Sequence, residues 1–174
     1  MLKLIPVLDT QDLPAVLELY ERAFPENERS PLDPMLEDDT GSAEILSAHT
    51  EVGYCGFICI LQCNDIVHII YFAVEEQFRG QGMGTQILEQ IVQEYPGKRV
   101  IVDIEMPEEG VENNAQRIRR KAFYLRCGFL ENDFSYNWRE TNYTVLSKGG
   151  NLSHEEFRNF WKSLTTIMPQ ARIY

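Results

Sequence analysis

The spacing of apolar and polar positions divides the chain into alternating strands and helices, and one stretch, residues 66–94, changes its period midway. It opens as a nearly continuous apolar run, IVHIIYFAV, which predicts a buried strand. The run turns polar at Glu75, Glu76 and Gln77, and glycines then occupy every second position, at Gly80, Gly82 and Gly84. Met83, Ile87, Leu88, Ile91 and Val92 recur at helical spacing, so a helix starts within or just after the glycines. Such a turn suits a phosphate. Glycines let backbone N–H groups approach a ligand with no Cβ between, and the helix start adds unpaired donors and a positive dipole end.

The rest of the pattern is organised around this unit. Residues 3–7 read as a short strand. Asp12 is placed as the cap of a helix with Pro14 in its first turn, buried through Leu13, Val16, Leu17, Tyr20 and Phe24 and ended by Pro25. Residues 25–31 are a polar loop, followed by a short helix opened by Asp33-Pro34. Residues 44–49 and 54–62 form a hairpin around Gly53, and a turn at Asn64-Asp65 leads into the central run, giving three antiparallel strands in succession.

After the glycine turn and its helix, RVIVDIE at 99–105 is a strand that a right-handed crossover places parallel to 66–74. A helix over 114–127 is expected to bury Ala115, Ile118, Ala122 and Leu125 and to stop at Gly128. Strands near 129–137 and 143–147 complete the sheet. Ser153-His-Glu-Glu156 is a capping box opening a last amphipathic helix with Phe157, Phe160, Trp161 and Leu164. The expected class is α+β, a three-layer α/β arrangement with a mixed, mostly antiparallel sheet and helices on both faces.

A length of 174 residues fits one domain, residues 1–174, with 151–174 as a C-terminal helical extension. No apolar run approaches the ~20 residues of a membrane span, and MLKLIPVLDTQ lacks the apolar core of a signal peptide, so a cytoplasmic protein is expected. The net charge of −11, from 27 acidic and 16 basic residues, argues against nucleic acid as a partner and suits a cationic or amine substrate. Cys55, Cys59 and Cys63 are spaced like metal ligands but fall on one predicted strand. There they would share a face about 13 Å apart, too far for a common zinc. They read as small core residues, and no metal site is expected.

The identity of the phosphate ligand turns on spacing. The dinucleotide pattern G-x-G-x-x-G fails because Thr85 stands at the third glycine, and the P-loop pattern fails because no lysine follows. What remains is Arg79-Gly-Gln-Gly82-Met-Gly84, an R-x-x-G-x-G sequence directly after a strand. Here the chain resembles the GNAT superfamily of N-acetyltransferases. A second stretch, Phe123-Tyr124-Leu-Arg-Cys-Gly128-Phe129, matches another element of that family, a helix ending in [FY]-Y-x-x-x-G-F. The two elements and the strand between them cover about the middle half of the chain. DIEMPEEGVENNAQRIRRKAFYLRCGF also resembles a bacterial subgroup of the superfamily with unassigned substrates. Glu76 departs from the family pattern, which often has proline there.

The resemblance implies a GNAT-like sheet with one parallel strand pair at the cofactor cleft and acetyl-CoA as co-substrate. Phe72, Ala73 and Val74 would bond the pantetheine arm through their backbone, and Arg79, Gly80, Gln81, Gly82, Met83, Gly84 and Thr85 would hold the pyrophosphate. Tyr124 falls at the family's general-acid tyrosine. Cys127, one turn on, is read as packing. Arg117, Arg119, Arg120 and Lys121 either place positive charge near the cofactor's phosphates or decorate a solvated face, and most of them are read as the latter.

For a general base, Asp103 and Glu105 point to one face of their strand, and Glu105 is taken as the residue near the acceptor amine. Glu28 and Glu75 are rivals, and some family members use a water chain instead. His68 sits early in its strand and reads as structural. The implied activity is acetyl-CoA-dependent transfer of an acetyl group to a primary amine of a small molecule. A non-catalytic acyl-CoA-binding or sensory module, and a protein N-terminal or lysine acetyltransferase, stand as alternatives. The acceptor and the oligomeric state, a homodimer included, are left open by the sequence.

Overall fold

A computed structural model describes residues 1–169. Seven strands form one sheet in the order β1-β2-β3-β4-β5-β7-β6. They are β1 (Lys3–Pro6), β2 (Ala43–Thr50), β3 (Gly53–Cys63), β4 (Ile66–Val74), β5 (Arg99–Glu105), β6 (Leu130–Trp138) and β7 (Thr141–Lys148). The helices are α1 (Leu13–Ala23), α2 (Asp33–Leu36), α3 (Met83–Glu94), α4 (Asn114–Arg126) and α5 (His154–Ser163). Every neighbouring pair of strands is antiparallel except β4 and β5, which the α3 crossover makes parallel.

Alternation along the strands sends side chains into two cores. On one face Leu19 of α1, Met35 of α2, and Phe157 and Trp161 of α5 pack on Phe57, Cys59 and Tyr71. On the other, Ile87, Leu88 and Ile91 of α3 and Tyr124 of α4 pack on Ile58, Ile60, Val67 and Ile69. Helices therefore cover both faces of a mixed, mostly antiparallel sheet, as expected. No helix among the described residues is long and apolar enough to cross a membrane.

The register shifts on β3, β4 and β6 and breaks the alternation there, and the sequence pattern shows none of the three; those on β3 and β4 bear on the site. On β3, Tyr54 pairs with His49 and Gly56 with Ala48, which leaves Cys55 as the extra residue. Cys55 consequently joins the α3–α4 core, whereas Cys59 and Cys63 lie with the other. The shared face expected for the three cysteines is thus wrong. On β4, Ile69 pairs with Ile60 and Tyr71 with Cys59, so Ile70 is extra. Beyond this bulge Phe72 and Val74 face α3 and α4, while Tyr71 and Ala73 face α1.

Three helix details differ from expectation. Asp12 precedes α1 but makes no side-chain cap. Its carboxylate meets His49 Nε2 at 2.6 Å instead. Leu17 is exposed and Leu19 is buried in its place. On α4 the expected apolar stripe faces outward, with Ile118 51% and Leu125 43% exposed, and the buried residues are Arg117 and Tyr124. α4 meets the sheet through an ion pair and a phenol, so hydrophobic periodicity pointed to the wrong side. The capping box of α5 is present, with Glu156 N–H donating to Ser153 Oγ at 3.2 Å and Ser153 N–H to Glu156 Oε2 at 2.8 Å. Residues 170–174 of the expected C-terminal extension lie outside the described residues.

Candidate active site

The parallel ladder between β4 and β5 is short. It runs from Ile66 opposite Arg99 to Ile69 opposite Val102. Past that point β4 continues to Val74 and β5 to Glu105 with no further pairing between them. The bulge at Ile70 coincides with the end of the ladder. A cleft of about 660 Å³ opens there, walled by the end of β4, the glycine turn with the start of α3, and one side of α4.

The turn is built as its glycines require. Gly80 and Gly82 have φ of 72° and 78°, left-handed values that suit glycine. A Cβ at either would meet nothing within 4 Å, so the space above the turn is open. Gly82 is the N-cap of α3, no side chain caps the helix, and no acidic residue stands in its first turn. The first intrahelical bond that crosses this cap is Gln86 N–H to the Gly82 carbonyl at 3.1 Å. The amides at the start of the helix thus face the cleft with their dipole end unopposed. Arg79 Nε donates to the Val74 carbonyl at 2.8 Å, which ties the turn to the end of β4.

Gly84 has a different reason to be small. A Cβ there would stand 3.2 Å from the Phe123 ring and 3.6 Å from that of Phe72. It lets α3 close on the aromatic floor of the cleft.

Of the residues expected to bind the cofactor, Phe72, Val74, Arg79, Gly80, Gly82, Met83, Gly84 and Thr85 line this cleft together with Tyr124. Ala73 lies on the opposite face because of the bulge, and the Gln81 side chain turns back to the Gln77 carbonyl. Tyr124 is 5% exposed. Burial pushes its phenol well above the ordinary tyrosine range, against the nearby positive charge of Arg120 and with that of Asp103 adding to it. The phenol therefore holds its proton at neutral pH.

Glu105 does not line the cleft. Arg117 Nη2 donates to its Oε1 at 3.0 Å, Asn113 Nδ2 to its Oε2 at 3.2 Å, and Arg120 Nη1 lies 3.8 Å from Oε2. The other carboxylates considered for a base have partners too. Asp103 accepts from Tyr136 and meets His68 Nε2 at 3.3 Å. Glu75 takes both contacts from Arg22 Nη2, at 3.0 and 3.2 Å. His68 is fully buried against Phe157, Phe160 and Trp161, which fits its structural reading.

Sequence reasoning missed one wall. Gln116, Arg119, Arg120, Phe123 and Arg126 of α4 also line the cleft. Gln116, Arg119, Phe123 and Arg126 recur at intervals of three, four and three residues, itself a helical stripe, with Arg120 beside them. The reading of this basic run as mainly a solvated face fails at Arg117, which is buried on Glu105; Arg120 lies 3.8 Å from the same carboxylate, Arg119 is exposed, and Lys121 makes a surface ion pair with Glu131 at 2.6 Å.

Comparison with known proteins agrees with this architecture. A family model described as the acetyltransferase (GNAT) domain matches residues 41–131, which hold both motifs. No curated protein matches the sequence. Among solved structures, one assigned to the GNAT family from Bacteroides thetaiotaomicron has a TM-score of 0.75 at 21% identity and covers 97% of each chain. The ribosomal-protein-S18-alanine N-acetyltransferase of Escherichia coli has a TM-score of 0.62 at 19% identity, covering 89% of this chain and 97% of that one. A GNAT-family acetyltransferase from Elizabethkingia anophelis with acetyl-CoA bound has a TM-score of 0.58 at 17% identity, covering 84% and 96%. At these identities the likeness concerns the fold, and the domain match over more than half the sequence supplies the family. The chain belongs to the GNAT family of acetyltransferases.

Proposed function

We propose that this chain is an acetyl-CoA-dependent N-acetyltransferase that moves an acetyl group to a primary amine of a small molecule by direct attack on the thioester. One observation carries this: the uncapped, glycine-lined start of α3 and the Tyr124 phenol stand on opposite walls of a single cleft where β4 and β5 part. The α3 amides suit the pyrophosphate. On the side away from β3 the end of β4 at Phe72, Ala73 and Val74 has no strand neighbour and offers backbone groups to the pantetheine amides, the Val74 carbonyl being already bonded to Arg79, and Gly80, Gln81 and Gly82 let the turn wrap the phosphates closely. That a GNAT-family acetyltransferase of the same fold has acetyl-CoA bound supports acetyl-CoA as the ligand.

In the reaction, the lone pair of the neutral amine forms the new C–N bond at the thioester carbonyl, and the C–S bond breaks with its electron pair leaving on sulfur. Tyr124 donates its phenolic hydrogen to the departing thiolate and is reprotonated from solvent once the thiol has left. Glu105 takes a different place from the one its sequence position suggested. With its lone pairs on Asn113 and two guanidiniums, it holds Arg117 and Arg120 on α4. The amine's proton passes to solvent, with no dedicated base.

A thiol-release assay with acetyl-CoA against polyamines, amino acids, aminoglycosides and peptides tests the proposal. Turnover with a small amine is expected. Turnover with peptides alone would make the chain a protein-modifying enzyme. Coenzyme A binding without any turnover would make it a binding module.

A further inference from the structure

Just past the parting of β4 and β5, on the face of β4 away from the cofactor cleft, Tyr71 holds the polar loop 25–31 by its backbone. Ser30 N–H donates to Tyr71 Oη at 3.0 Å, and the Tyr71 hydroxyl donates to the Glu28 carbonyl at 3.1 Å. Arg139, in the turn between β6 and β7, grips the same loop. It donates to the Asn27 carbonyl and, at 3.5 Å, to the Arg29 carbonyl, with its guanidinium 4.1 Å above the Trp138 ring. None of these bonds uses the Arg29 side chain. That side chain makes no hydrogen bond or ion pair among the described residues, and its Nε is buried without a partner. It lines a cavity of about 590 Å³ between α1 and α2, together with Tyr20, Glu21, Glu26, Asp33 and Arg139.

A guanidinium that the fold does not use, carried on a loop that is bonded on either side of it, is a preorganised receptor for an anion. Its buried Nε is a donor that costs stability until an acceptor oxygen answers it. The fork of Nε and Nη groups matches a planar carboxylate. The surroundings choose among anions. Glu21, Glu26 and Asp33 are exposed and make no ion pair among the described residues, so the cavity repels a second negative charge and tolerates a positive one. A dianionic phosphate or a dicarboxylate is therefore disfavoured, and a zwitterion fits.

We infer that Arg29 reads a single carboxylate on the acceptor, which is accordingly an amino-carboxylic acid and not a polyamine or an aminoglycoside. This rests on the function proposed above and narrows its substrate class. Tyr71 and Phe72 are neighbours on opposite faces of β4, and Phe72 lines the cofactor cleft. A carboxylate on Arg29 thus leaves the amine of the same molecule on the Tyr71 side of the parting, across from the thioester. The carboxylate takes no part in the bond changes and serves to orient the amine.

Thiol release from acetyl-CoA by the full chain would compare matched acceptors. Glycine, leucine, lysine and 4-aminobutyrate would each be set against their carboxamides and decarboxylated amines, and glutamate against glutamine. The wild type is expected to use at least one free acid with kcat/KM at least about tenfold above that of its amide and amine, chiefly through KM. Glutamate should be the poorer of its pair. Arg29→Gln should lose the preference for the free acid, and Arg29→Lys, which keeps the charge without the fork, should retain part of it. Calorimetry with coenzyme A checks that each variant is folded. Arg158→Gln, an exposed arginine of α5 outside the cavity, should keep the full preference.

The wild-type comparison needs no variant and stands whether or not one folds. Free acids used no better than their amides and amines would overturn the inference and leave acetyl transfer to a small amine standing. A preference that persists in Arg29→Gln with coenzyme A affinity intact would also overturn it, since another group would then read the carboxylate. Turnover with peptides alone, or with no acceptor, would remove the proposed function and the inference with it.

Discussion

Arg117 and Glu105 form a buried ion pair, 3.0 Å apart, with 8% and 7% of their side chains exposed, and this pair docks α4 onto the end of β5. Arg117 Nη1 also donates to the Met106 carbonyl at 3.1 Å and its Nε to Asn113 Oδ1 at 2.9 Å, so the guanidinium is satisfied on three sides. A charge so placed is costly to leave alone. Glu105→Gln keeps the shape but strands the guanidinium, and is expected to lower folding stability by about 3–5 kcal/mol. Denaturant unfolding measures this. A variant that unfolds at the wild-type midpoint but loses the acidic limb of the kcat–pH profile would make Glu105 a base after all.

The glycine turn separates conformational from steric need. At Gly82, with φ of 78°, any side chain pays roughly 1–2 kcal/mol in backbone strain although nothing blocks its Cβ. At Gly84 the backbone is helical, and the obstacle is the Phe123 ring at 3.2 Å. Gly82→Val and Gly84→Val are both expected to weaken coenzyme A binding strongly. Combining Gly84→Val with Phe123→Leu should recover part of the loss, whereas Gly82→Val with Phe123→Leu should not. Calorimetry on folded variants shows the difference, and unchanged affinity in both single variants would exclude the turn as the cofactor site.

Tyr124→Phe keeps the ring against Phe123 and Phe129 and removes only the hydroxyl. Fold and coenzyme A affinity should persist while kcat falls at least about tenfold, within the range general acids supply. Because burial raises its pKa, the phenol stays protonated beyond the ordinary tyrosine value, and kcat should show no alkaline limb from it below pH about 10. An unchanged kcat with chemistry rate-limiting would leave Tyr124 as packing.

Acid stability has a local probe in Glu156. The hydrogen bond from Arg99, followed by that from the Ser153 amide, lowers its pKa to about 2 from an ordinary 4.5. A depressed carboxylate stabilises the fold above its unfolded pKa and loses that contribution as pH falls through the folded value. The stability advantage of wild type over Glu156→Gln should therefore be full above pH about 4.5 and fade by about 2. Thermal melts across that window test it, and a pH-independent difference would count against the linkage.

Much of this was legible in the chain because the decisive signals are local. The change of period at Gly80–Gly84, the stop at Gly128 and the capping box at Ser153 each depend on a few adjacent residues, and all appear where expected. The misreadings share the opposite property. The face of Cys55 depends on a bulge against Ala48 and His49 across the hairpin. The orientation of α4 depends on Arg117 finding Glu105 twelve residues earlier, a polar contact that hydrophobic spacing cannot register. The arginine wall was visible as a stripe, but its destination required knowing that α3 stands opposite.

The parting of β4 and β5 gives the sheet a second pair of margins. Its outer ones are β1 and β6, and the inner ones face each other across a gap within the molecule. A bare margin normally invites a foreign strand, the route by which sheets add to one another. Here each inner margin belongs to a strand held on its far side, β4 by β3 and β5 by β7, with α3 and α4 packed over the same face. On the function proposed above, a single thread carrying its own amides takes the place a foreign strand would take, so the hazard of an exposed edge becomes a filter on shape.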